Sequence, residues 1–129
     1  MNKKGVALLL ALFTLIIISL LLLSFLELAT TDLQIVSNHL TRDEALYTAE
    51  AGVEDAIVRL TNSKADFSSG PIEFPSGSGN TYNVTYSASS GRITSVGSLS
   101  SGQAVTLEVK VSVTGNSPYK VKIIYYREL

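Results

Sequence analysis

Residues 1–10 read MNKKGVALLL, and the apolar run that opens at Val6 does not close until Leu26. Those 21 residues are interrupted only by Thr14, Ser19 and Ser24. As a helix they rise about 30 Å, the thickness of a bilayer's hydrocarbon core. The three hydroxyls cost little there, because each can bond back to a carbonyl one turn earlier. Residues 6–26 therefore read as a transmembrane helix. Lys3 and Lys4 precede it, and no lysine or arginine follows until Arg42. By the positive-inside rule the N-terminus faces the cytoplasm and the rest of the chain lies outside. The same lysines could open a cleaved secretory signal. The run, however, exceeds the roughly 7–15 apolar residues of such a signal, and its far end lacks a small-x-small cleavage site.

No proline or turn cluster separates the span from the stretch that follows it. Gly52 is the only helix breaker between residues 6 and 60, and a lone glycine costs about 1 kcal/mol. The pattern predicts one helix of about 80 Å, with residues 27–62 as its amphipathic half. Asn62-Ser63 and the Ser/Gly-rich residues 63–80 end it and read as a loop.

Stepping 100° per residue places Ala45, Leu46, Ala49, Gly52, Val53, Ala56, Ile57 and Leu60 on one face about 140° wide. Half of that face is Gly or Ala, so something approaches the helix backbone closely there. A helix–sheet contact through Ala45, Ala49, Gly52, Val53, Ala56 and Ile57 follows. A second apolar stripe lies nearly opposite. Leu33, Val36, Leu40 and Tyr47 are its main members, and its early steps of three and four resemble a coiled-coil seam. Asp43, Glu44, Glu50 and Glu54 border or interrupt it. Two apolar faces call for two partners, unless the helix is simply buried in its own domain.

From Thr81 the period switches to two. Residues 82–86, 92–96, 103–113 and 119–126 read as strands, separated by SASSG, GSLSSG and TGNSP. Breaks this short make hairpins, and one-sided alternation makes an antiparallel sheet with one wet face. The predicted class is α+β: a long helix packed on a small antiparallel sheet formed by residues 81–129.

Chemistry is hard to find in this chain. With 10 basic and 11 acidic residues the net charge is −1, which gives no overall basic field for nucleic acid. Cysteine is absent, which removes disulfides and thiolate metal sites, and His39, the only histidine, reads as a solvated helix residue and not as a metal ligand. Asp43, Glu44, Glu50, Glu54 and Asp55 read as a solvated acidic face, since no calcium-type loop accompanies them. No nucleophile elbow, triad or phosphate loop appears. The expectation is a protein without catalytic residues, cofactor or metal.

Lysine-lysine-glycine directly before an unbroken apolar helix resembles the class III signal of type IV pilins and pseudopilins. Residues 47–56, which read YTAEAGVEDA, look like the A-E-A-G segment of PilX-type minor pilins. The resemblance covers about residues 1–60. It implies that residues 1–5 are a leader with Lys3 and Lys4 as its positive charges. Prepilin peptidase would cut between Gly5 and Val6 and leave Val6 as a methylated N-terminus. The partners implied are lipid before assembly, then other pilin or pseudopilin subunits and the inner-membrane assembly platform. The implied location is the cytoplasmic membrane, and afterwards a pilus or periplasmic filament. One residue departs from the pattern. Most pilins carry glutamate at the fifth mature position, where it pairs with a neighbour's amine; Leu10 stands there. PilX-type and tip subunits often lack that glutamate too, which favours a minor or initiating role. The competing expectation is an unprocessed single-pass membrane protein whose small extracytoplasmic β domain binds or senses.

Overall fold

The computed structural model describes residues 2–129. It contains one helix, α1 (Lys3–Asn62), and six strands: β1 (Phe67–Ser68), β2 (Ile72–Glu73), β3 (Thr81–Ser87), β4 (Arg92–Ser98), β5 (Ala104–Thr114) and β6 (Lys120–Glu128). The class is α+β. Two compact units divide the chain, residues 1–39 and residues 40–129.

In the first unit, α1 is long and apolar enough to cross a membrane, and its apolar window is wholly uncovered. The hydroxyls inside it are satisfied locally. Thr14 Oγ1 donates to the Ala11 carbonyl at 2.9 Å, Ser19 Oγ to Leu15 at 2.8 Å and Ser24 Oγ to Leu20 at 3.0 Å. No side-chain donor in this set has to seek a partner in lipid.

In the second unit, all strand pairings are antiparallel. The order is β1-β3-β4-β5-β6, with β2 also pairing β3. The last four strands form the expected meander. The sheet starts earlier than the sequence pattern indicates, since β1 and β2 both lie within residues 63–80. Neither exceeds two residues, which is too short for alternation to register. Apolar residues there still pack: Phe67 of β1 stacks on Tyr86 with ring centroids 5.8 Å apart, and Phe74, just after β2, meets Tyr82 edge-on at 6.5 Å.

Alternation along β3, β4 and β5 sends Tyr82, Val84, Tyr86, Ile93, Val105, Leu107, Val109 and Val111 into the core. The helix contributes Ala45, Ala49, Val53, Ala56 and Leu60. A fully buried Leu or Ile contributes about 1.5–3 kcal/mol, and Leu60, Ile93 and Leu107 are each 0% exposed. These large residues and the valines supply most of the apolar burial; the alanines supply proximity.

The closest approach falls at β4. Gly97 was expected to begin the turn after that strand, yet it is paired within it, opposite Tyr82 and Val105. A Cβ there would run into the helix backbone at Ala45 and Ala49. Glycine inside a strand marks such close backbone contact. On the helix side a Cβ at Gly52 would meet Ser95 Oγ and the Tyr82 ring. Ser95, fully buried, donates its hydroxyl to the Ala49 carbonyl at 2.7 Å.

Because the Gly97 obstruction is backbone and the Gly52 obstruction is side chain, the two sites should differ. Gly97→Ala should cost about 1–3 kcal/mol by overpacking. Gly52→Ala should cost less: Ser95 gives up its bond to Ala49 and the Tyr82 ring shifts, but side chains can move where backbone cannot, and the helix regains about 1 kcal/mol of propensity. Thermal melting of the full chain in detergent micelles checks this. A Gly97→Ala midpoint equal to wild type would mean that helix and β4 do not meet there.

Candidate functional site

Lys3, Lys4 and Gly5 occupy the first turn of α1, and all three are exposed. Met1, the first residue of the expected leader, lies outside the described residues. Val6 is half-buried and Leu10 is exposed. Among the described residues a Cβ on Gly5 would meet nothing within 4 Å. Internal packing therefore gives no reason for glycine at this position, in contrast to Gly52 and Gly97.

The helix face expected to meet the sheet lies as follows. Ala45, Ala49, Gly52, Val53 and Ala56 are buried, and Ile57 is half-buried against the same core. The opposite stripe is bare. Leu33 is 70% exposed, Val36 55%, Leu40 65% and Tyr47 69%. Within residues 40–129 the sheet thus buries one side of helix residues 40–62 and leaves Leu40 and Tyr47 open.

Polar ties hold residues 40–62 of the helix to the sheet at both ends. Near Glu44, Asn80 is the fastening point. Its Nδ2 donates to Glu44 Oε1 at 2.8 Å, and its Oδ1 accepts from the Ser100 amide at 3.0 Å. Asn80 is 3% exposed, so these partners satisfy a buried amide that would otherwise be costly. At the helix C-terminus the Tyr119 amide donates to the Thr61 carbonyl at 2.8 Å. Lys64 Nζ donates to the Gly115 carbonyl at 3.2 Å and lies 4.5 Å from the Tyr119 ring centroid. Sequence patterning missed Asn80, which sits in a Ser/Gly-rich stretch where an asparagine reads as one more turn residue.

β6 supplies a further device. Lys110 pairs with Tyr125 but Val111 pairs with Ile123, so Ile124 is an extra residue, a β-bulge. A bulge shifts the alternation by one place. Val121 and Ile123 face the helix side before it, and Tyr126 and Glu128 do so after it. Tyr126 hydroxyl accordingly reaches Glu50 at 3.2 Å, and Glu128 pairs with Arg42 at 2.7 Å. Tyr125 and Arg127 fall on the other face, where both donate to Glu108 Oε1, at 3.0 and 2.9 Å. Arg92 also reaches Glu108, at 3.4 Å. Glu108 is 7% exposed, and a carboxylate so buried depends on such partners.

Between the helix and β6 this geometry leaves a groove of about 310 Å³, lined by Glu50, Val53, Glu54, Ile57, Ile123 and Tyr126. Among the described residues no three His, Cys, Asp or Glu side chains come together as a metal-binding group. The helix carboxylates instead bond side chains: Glu44 to Asn80, Glu50 to Tyr126 and Asp55 to Arg59. Neither known protein families, nor curated proteins, nor solved structures match the chain. What the residues and their geometry define is a helix apolar and uncovered at its start, sheet-covered on one side further along.

Tyr126 is pushed up to about 12 from the ordinary 10, first by burial of its hydroxyl and then by the charge of Glu50. Burial raises Tyr82 and Tyr86 in the same direction. A raised tyrosine favours the neutral form in the fold, so its contribution is intact below pH 10 and lost as pH climbs towards 12. Tyr126→Phe should flatten the alkaline fall in melting temperature over that window while Tyr82 and Tyr86 keep the remainder. An unchanged slope would mean that the hydroxyl is not held beside Glu50.

Proposed function

We propose that this chain is a structural minor subunit of a type IV pilin-like filament and not an enzyme. In this reading prepilin peptidase cuts between Gly5 and Val6 on the cytoplasmic side. Removing Lys3 and Lys4 removes the charges that hold the helix end in the cytoplasm. The helix then leaves the bilayer and packs among other pilin or pseudopilin subunits, with help from an inner-membrane assembly platform.

The observation that carries the reading is the uncovered second stripe of α1. A helix that only anchored a domain would need no apolar side beyond the membrane. Here Leu33, Val36, Leu40 and Tyr47 continue the apolar surface past the span and remain largely exposed. Exposed apolar area of this extent marks an interaction surface. Gly5 adds support, since none of the described residues constrains it and a peptidase that needs a small residue would.

Intact mass of the protein extracted from membranes tests processing. The expected mass lacks five residues and carries one added methyl. Gly5→Val should leave the leader attached and keep the protein out of sheared filaments. Full-length wild-type protein would sink the reading in favour of an unprocessed membrane protein with a binding domain.

Leu10 bears on the role within a filament. An unpaired carboxylate in a membrane helix costs up to a few kcal/mol, less near the helix end. If the subunit occupies a tip or initiating position, Leu10→Glu gains no partner amine there. Filament number by electron microscopy should be equal or lower, and the subunit should stay scarce by quantitative mass spectrometry. Abundant incorporation of Leu10→Glu along filaments would overturn the tip assignment.

A further inference from the structure

The two edges of the sheet are finished differently. Beyond β3 lie β1 and β2, each two residues long, so little backbone stays open on that side. β6 runs for nine residues and pairs only with β5. Among the described residues no backbone hydrogen bond crosses its outer side. Its alternate N–H and C=O groups therefore form an unpaired row along about 30 Å of strand. Lys120, Lys122 and the bulge at Ile124 discourage indiscriminate pairing of such an edge. They do not close it, since Ile123, Ile124 and Tyr126 remain exposed.

The groove beside this edge is unfinished on the same side. Its walls come from α1 and β6 alone, with Val53, Ile57, Ile123 and Tyr126 as the apolar part and Glu50 and Glu54 as the acidic part. A next strand would lie about 4.8 Å beyond β6. Every second side chain of that strand would face the helix and enter the groove. Unpaired charge differs between the two faces here. Away from the helix, Lys120 and Lys122 stand opposite Thr114 and Ser112 and have no acidic partner among the described residues. Arg127 is not free in this sense, because Glu108 holds it. On the helix side Glu50 is bonded to Tyr126, whereas Glu54 has no ion pair or side-chain bond among the described residues.

We propose that the open edge of β6 takes an extended segment of a different protein as a seventh strand, and that this segment alternates acidic and apolar residues. Its main-chain groups pair with β6, its apolar side chains fill the groove, and its carboxylates face Lys120 and Lys122. One basic residue on the apolar side, level with Ile123, meets Glu54. In strand addition of this kind backbone bonds supply affinity and the alternate side-chain sites supply specificity. A second β6 fits poorly, because KVKIIYYRE holds three basic residues to one acidic, and its Glu128 is already paired with Arg42. The surface lies wholly within residues 40–129, and the inference does not rest on the filament reading.

The test uses the full chain in detergent micelles and a short fluorescent peptide of alternating glutamate and valine, with one central valine replaced by lysine. Fluorescence anisotropy should show saturable binding. Lys120→Glu with Lys122→Glu should weaken it by about tenfold, the scale of two exposed charge pairs. The same variant should prefer a peptide with lysine in place of each glutamate. Glu54→Gln should erase the advantage of the central lysine over valine. All three side chains are exposed, and unchanged melting midpoints check folding. Strand pairing has its own readout. Methylating the peptide's amide nitrogens along one edge should abolish binding, and methylating the other edge should leave it intact. No saturable binding, or binding that survives methylation of either edge, overturns the proposal. Equal affinity of the wild-type chain for the glutamate and lysine peptides does so too. Peptide binding that falls as the chain is concentrated would mean that another β6 holds the edge, and it also overturns the proposal.

Discussion

The contact between the helix backbone at Ala45 and Ala49 and the strand backbone at Gly97 sets the distance between the two layers. Any side chain larger than hydrogen at position 97 would strike backbone, which cannot rotate aside. The Ser95 hydroxyl bonds the Ala49 carbonyl at the same level, so a polar tie and a steric limit coincide. Asn80 fastens one end of this helical segment, and the Tyr119 amide fastens the other. The larger apolar residues, Leu60, Ile93 and Leu107, fill the remainder of the interface at full burial. Interiors packed at crystal-like density transmit such constraints, because a shift at one contact opens space at another.

Committing one side of the helix to the sheet leaves the other side free, and the chain distributes its residues accordingly. Ala45, Ala49, Gly52, Ala56 and Leu60 face inward, while Leu40, Tyr47, Asp43 and Glu54 are exposed. The bulge at Ile124 completes the division on β6. It turns Tyr126 and Glu128 towards the helix, where Glu50 and Arg42 receive them. It sends Tyr125 and Arg127 to the far face, where they enclose Glu108. Without that extra residue, Tyr125 and Arg127 would face the helix and Glu108 would lose two donors.

Three glycines illustrate how one residue type answers different demands. Gly97 admits a helix backbone, and Gly52 admits a serine and a tyrosine ring. Gly5 admits nothing among the described residues. The first two are explained by packing; the third points outside the molecule. That distinction supports a processing role at the N-terminus, and the exposed stripe from Leu33 to Tyr47 supports association after it. Both observations concern surfaces that the isolated chain leaves unused.

Much of this architecture was legible from periodicity. A 3.6-residue repeat with Ala and Gly on one side marks a helix face that will be approached closely, whatever approaches it. A two-residue repeat over residues 103–113 marks a strand with one buried face. Short-range patterns of this kind are set by backbone geometry, so they survive without knowledge of the partner. Other features depended on residues distant in the chain. Gly97 read as a turn because a glycine beside serines signals a break; only the arrival of Ala49, 48 residues away in sequence, makes it part of a strand. The short strands β1 and β2 exist because β3 offers them partners, not because two residues can show a period. The bulge on β6 and the burial of Glu108 follow from register between strands, which the hydrophobic pattern constrains to within a face but not to within a residue. Local chemistry determined the elements and their apolar faces, and tertiary contact decided where the backbones touch, because steric exclusion acts only once the segments meet.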